Sequence, residues 1–175
     1  DTLSLHDALP ISLELAGKEG RLFLADYAVL AGMKNGTFPH SQKYAFAPKA
    51  LFALPRGTGP RRLRPIAIQG GQDPARHPVF TPADGLAWQK AKLMVEVADG
   101  IHHEASSHLA RTHLLVSPIV LATRRRLPDD HPVSRLLQPH FEGTLSINDA
   151  AHSGLLAPGN EVDRALAGTI ESTRA

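Results

Sequence analysis

The sequence predicts a mainly α protein, with a long central helix, shorter helices packed around it, and a small antiparallel β element near the N-terminus. Three observations lead there. From Ala83 to His113 there is no proline, and apolar residues recur at Ala87, Ala91, Met94, Val95, Ala98, Ile101, Ala105 and Leu109, the spacing of one helix face. Beyond it, helix-length stretches bounded by proline and glycine continue to Leu156. Ahead of it lie short apolar runs too brief for helices and separated by turn residues.

In chain order, Arg21–Tyr27 (RLFLADY) is strand-like. Lys49–Leu54 and Leu63–Gln69 (KALFAL and LRPIAIQ) read as an antiparallel pair joined by the connection PRGTGPRR. Met33–Pro48 is loop, with an Asn-Gly step and prolines, and Gly70–Thr81 is a second polar connection. Thr81-Pro82-Ala83-Asp84 looks like a helix start: a hydroxyl at the cap, proline at the first position, then an acid. The long helix is expected to follow directly, with Gly100 as its weak point. Leu114–Arg126 is a second helix with Pro118 in its first turns, Pro128–His131 a turn, Pro132–Gln138 one or two helical turns, and Phe141–Leu156 a further helix ended by Pro158-Gly159. Glu161–Ala175 is polar and shows no clear pattern.

At 175 residues with 42% apolar side chains, the chain is long enough for one packed domain and short for two. The absence of cysteine excludes disulfides, Cys zinc sites and thiol nucleophiles. No apolar run is long enough to cross a bilayer. A net charge of +2 gives little reason to expect a nucleic-acid partner. Arg61, Arg62 and Arg64, and Arg124 to Arg126, read as a solvated loop and a helix end. The opening Asp1–Ser12 (DTLSLHDALPIS) resembles translated sequencing adapter, so His6 and Asp7 are set aside from site reasoning.

Histidine is the anomaly: seven of the ten lie between His102 and His152. On the long helix His103, His108 and His113 follow one another with four residues between each pair. Neutral imidazole is the commonest metal ligand. In a regular helix, however, positions i and i+5 stand about 140° apart and cannot meet on one ion. A π-type distortion, with i→i+5 hydrogen bonds, brings them to one side and is frequent at functional sites. A metal role therefore predicts such a distortion between Glu104 and Thr112. The residues alone leave this reading level with one of scattered core and surface histidines. A metal hydrolase is disfavoured: His103-Glu104 begins His-Glu-x-x-His, but Ser107 stands at the second histidine.

The pattern extends as His-x4-His-x4-His-x17-His-x8-His, from His103 through His131 to His140. Around it stand Trp88, Ala91-Lys92, Asp99, His108-Leu109, Thr112-His113, Ala122-Thr123, Arg125, Leu127, His131-Pro132, Leu136-Leu137, Pro139-His140, Thr144 and Ile147-Asn148. This resembles the lipoxygenase family, whose signature it matches without a gap from Trp88 to about Leu156. The resemblance implies an incomplete lipoxygenase catalytic domain over residues 13–175, truncated at both ends.

Carried over position by position, the resemblance implies that His108 and His113 are ligands of a non-haem iron. His103 lies near the iron without binding it, and Glu104 orients a ligand. His131 and His140 support the fold through hydrogen bonds. Ala151 matches the small-residue position that biases where oxygen adds, alanine being similar to members that give S-hydroperoxides. Ile147 and Leu155 are expected to line the fatty-acid channel with it. His152 departs from the pattern, which usually has arginine there. The implied substrates are a polyunsaturated fatty acid and O2. An iron centre cycling between two oxidation states takes a hydrogen atom from the methylene of a cis,cis-1,4-pentadiene unit, and O2 traps the radical to give a hydroperoxide.

The resemblance places the remaining iron ligands downstream of Ala175, so the fragment is expected to be inactive in isolation and to hold iron weakly. It leaves room for peripheral membrane contact in the full-length protein. The alternative is an inactive helical fragment that binds metals adventitiously.

Overall fold

The structure, a computed structural model, describes residues 13–56 and 62–174. The adapter-like segment 1–12, the middle of the PRGTGPRR connection and Ala175 lie outside the described residues. The chain divides into two compact units, one comprising residues up to Met33 together with Ala45–Gly100, the other Lys34–Tyr44 together with residues from Ile101 onward. Each unit has buried residues of its own.

In the first unit, helix α1 (Leu13–Lys18) leads into β1 (Leu22–Asp26), which pairs with β2 (Lys49–Ala53); β2 pairs with β3 (Arg64–Gln69), and β3 with β4 (Val79–Phe80), all antiparallel. The β2–β3 pair is as predicted, and it sits inside a four-stranded sheet of order β1-β2-β3-β4. Strand β4 was missed because two residues carry no alternation. Ile66 and Ile68 alternate into the core along β3. Pairing shifts between Leu51 and Phe52, which face Ala67 and Pro65, so Ile66 is the extra residue of a bulge. Proline has no N–H to give the ladder, which favours an irregularity at that point.

Thr81-Pro82-Ala83-Asp84 forms a tight 3-10 turn instead of the first turn of the long helix. The Asp84 carboxylate accepts from the Thr81 backbone N–H (2.6 Å) and hydroxyl (2.9 Å). Gly85 then turns with φ 55°, a left-handed value that breaks helical continuity, and helix α2 begins only at Leu86 and runs to Ile101. Trp88, Ala91 and Val95, spaced on one helix face, pack with Ala50 and Ile68 of the sheet. Ala50 and Ala91 are fully buried, and such small side chains allow close approach of helix and strand.

In the second unit a π-helical segment, His102–Leu114, continues directly from α2. Helices α3 (Val116–Arg126), α4 (Pro132–Leu137), α5 (Thr144–Gly154), α6 (Glu161–Ala165) and α7 (Ile170–Arg174) follow. The π segment, α3 and α5 pack on one another. Helix α5 starts three residues later than predicted because Gly143 adopts φ 72° immediately before it. Helices α6 and α7 fall where the sequence showed no pattern. The segment Lys34–Tyr44 joins this unit through Lys43, whose Nζ donates to the carbonyls of Asp163 (2.6 Å), Arg164 (3.2 Å) and Leu166 (2.7 Å) at the end of α6. Among the described residues no helix is long and apolar enough to cross a membrane.

Candidate metal centre

The distortion predicted between Glu104 and Thr112 is present and longer, covering thirteen residues from His102 to Leu114. The Thr112 hydroxyl donates to the Ser107 carbonyl (2.9 Å), and Leu115 N–H to the Ala110 carbonyl (2.9 Å), both across five residues. Three histidines at steps of five thereby share one side. The rings of His103 and His108 stack with centroids 5.9 Å apart, and those of His108 and His113 meet edge-on at 4.9 Å.

Hydrogen bonds orient these rings. Glu104 accepts from His103 Nδ1 (3.0 Å) with one carboxylate oxygen and from His108 Nδ1 (3.1 Å) with the other. These contacts, that of His108 foremost, hold the Glu104 carboxyl below the ordinary carboxylate range. An ionised carboxylate can only accept, so both Nδ1 atoms carry the proton. On the other side, His113 Nδ1 lies 3.2 Å from Asn148 Oδ1. The Asn148 amide donates through Nδ2 to the His113 carbonyl (2.8 Å) and the Ser117 hydroxyl (2.6 Å).

With both Nδ1 atoms engaged by oxygen, the Nε2 atoms of His108 and His113 face each other at 3.2 Å. Two imidazole lone pairs at that separation repel unless a cation or a proton lies between them. Imidazole nitrogens bind a first-row ion such as zinc at about 2.0–2.1 Å, so two nitrogens adjacent on one ion lie about 3 Å apart. The pair therefore fits a shared metal ion. Among the described residues no group of three or more His, Cys, Asp or Glu side chains is placed to hold a metal. The π segment has no buried residue, and the His108 side chain is 50% exposed.

His108 and His113 open onto a cavity of about 210 Å³, whose apolar wall includes Ile147, Ala151 and Leu155 of α5. The structure thus gathers the two predicted ligands, Glu104 and all three predicted channel residues around one space. Leu109 lines it too, as do Val162 and Leu166, which fall in the stretch where the sequence showed no pattern. His103 stands beside His108 and shares its carboxylate. His131 lies apart and caps α4, its Nδ1 accepting from Val133 N–H (3.2 Å). His140 is exposed in the 3-10 turn Gln138–Phe141. Sequence reasoning missed the contact of Asn148 with His113; its place beside Ile147 in the signature was the available signal.

Known proteins resemble this chain over most of its length. The family model Lipoxygenase matches residues 6–170. The chain is 44% identical to a linoleate 9/13-lipoxygenase of Pseudomonas aeruginosa over 94% of its own length and 25% of that protein's. It is 40% identical to the human polyunsaturated fatty acid lipoxygenase ALOX15B over 91% of its length and 24% of that protein's. The chain thus spans about a quarter of the curated relatives it matches. Among solved structures it superposes on a coral 8R-lipoxygenase with a TM-score of 0.87 at 32% identity, covering 99% of this chain and 25% of that one. The histidine spacing, the fold and these relatives agree, and the chain belongs to the lipoxygenase family.

Proposed function

We propose that this chain supplies part of the metal centre and part of the substrate cavity of a lipoxygenase that adds O2 to cis,cis-1,4-pentadiene units of polyunsaturated fatty acids. His108 and His113 are two ligands of a non-haem iron. The observation that carries this reading is the pair of Nε2 atoms 3.2 Å apart with each Nδ1 engaged elsewhere. Neutral imidazoles suit iron, and such a set lets it change oxidation state. When bound, the iron supplies the one-electron oxidation of the pentadiene methylene that opens the substrate to O2.

The chain's own residues do the rest. Glu104 keeps the His108 proton on Nδ1 and leaves Nε2 basic, the usual effect of a carboxylate behind a ligating imidazole. Ile147, Ala151 and Leu155 offer an acyl chain an apolar wall beside the two histidines and keep water from that side. The single methyl of Ala151 leaves room at the wall, the feature through which the family resemblance links this position to where oxygen adds.

The test measures bound iron and conjugated-diene formation from linoleate in the full-length protein that contains this chain, as wild type and with His108→Ala or His113→Ala. Each substitution is expected to weaken iron binding by more than about 100-fold, beyond the 10–100-fold typical of losing an orienting partner, and to abolish diene formation. Iron binding that survives both substitutions would replace this reading with that of a helical protein taking metals adventitiously, as would an iron-loaded full-length protein that forms no diene.

A further inference from the structure

The π register has a consequence for a carbonyl. In i→i+5 bonding, the N–H that would serve the His113 carbonyl belongs to residue 118, which is proline and has none. That carbonyl instead accepts from Asn148 Nδ2 at 2.8 Å, with the Ser117 hydroxyl a distant second donor at 3.5 Å. The same Nδ2 donates its other proton to Ser117 Oγ at 2.6 Å. A carbonyl oxygen cannot donate, so the amide cannot be inverted without setting two oxygens against each other. Its Oδ1 therefore faces His113 Nδ1, which must carry the ring proton. Asn148 is only 5% exposed, so water offers little competition for these bonds.

We propose that Asn148 is a positioning residue for the metal centre, a clamp that holds His113 with its proton on Nδ1 and its Nε2 lone pair turned toward His108. The proposal rests on His108 and His113 being ligands. It makes the two imidazoles a matched pair, one fixed by the carboxylate of Glu104 and the other by a neutral amide thirty-five residues away in sequence. The clamp sits between Ile147 and Ala151 on α5, so the helix that lines the cavity also sets the direction of a ligand.

Two substitutions separate this role from a merely structural tie between α5 and the π segment. Asn148→Ala removes acceptor and donors together. Asn148→Asp keeps an acceptor for His113 Nδ1 and loses both donors. Two readouts are taken on the whole protein with thermal unfolding as a control: the His113 ring tautomer by nitrogen NMR without metal, and iron affinity by chelator competition. In Asn148→Ala the preference for the proton on Nδ1 is expected to disappear and iron affinity to fall 10–100-fold, the usual cost of losing an orienting partner. In Asn148→Asp the tautomer is expected to persist and affinity to stay within about 10-fold of wild type, the lower end of that cost. An unchanged tautomer in Asn148→Ala would overturn the clamp. So would Asn148→Asp matching Asn148→Ala in both readouts. A tautomer that follows the acceptor in a wild type with no measurable iron binding would leave the clamp standing and overturn the ligand reading.

Discussion

Tyr27 is 9% exposed and donates its phenol proton to Asp99 Oδ1 at 2.8 Å. Burial first, then the hydrogen bond and the charge of Asp99, push the phenol up to about 12. The folded state thus favours the neutral phenol. Its contribution to stability is whole below the ordinary tyrosine range near 10 and is lost as pH climbs through the raised value. Tyr27→Phe is expected to lower unfolding free energy by about 1.5–3 kcal/mol at neutral pH, the scale of a hydrogen bond to a charged group. It should also reduce the alkaline loss of stability, both followed by denaturant unfolding across pH. Single residues were legible in the sequence where their partner is local. Glu104 stands four residues from His108, and the orienting role proposed for it comes from the family resemblance. Asn148 was not legible in this way, because its partner lies thirty-five residues away and is reached only when α5 packs on the π segment.

At the scale of elements, a metal role for histidines spaced by five called for the π distortion, since a regular helix cannot turn His108 and His113 to one side. The boundaries were harder to read. Gly85 and Gly143 take φ 55° and 72°, and each moves a helix start downstream of its predicted place. Gly143→Ala is expected to cost about 1–2 kcal/mol, the price of a left-handed L-residue, with Ile147 Cδ1 already 3.4 Å from the new methyl. Gly100 is the opposite case. It lies inside α2 and a methyl there meets nothing within 4 Å. Gly100→Ala is therefore expected to stabilise by about 0.4–1 kcal/mol. Thermal unfolding of the two variants should move in opposite directions. Helices α6 and α7, of five residues each, escaped the sequence because so short a span shows no periodicity and has little helical stability of its own.

For the whole molecule, long-range ties decide what a sequence pass cannot. Lys43 crosses 120 residues or more to three carbonyls at the end of α6. Lys43→Met keeps the length of the side chain and removes the charge. It is expected to raise amide exchange over residues 161–166 and to destabilise by about 1.5–3 kcal/mol, as for one charge-assisted bond lost; unchanged exchange there would show that the contact carries no stability. The sequence by itself determined the mainly α class, the β2–β3 pair and the family, and tied the π distortion to a metal role, because each depends on spacing along the chain. Tertiary structure alone decided that Asn148 meets His113, that Val162 and Leu166 join the apolar wall beside the two imidazoles, and that Lys43 meets the end of α6. Those contacts join residues far apart in sequence, and a hydrogen bond or an apolar wall between them exists only once packing has set the distance and the direction.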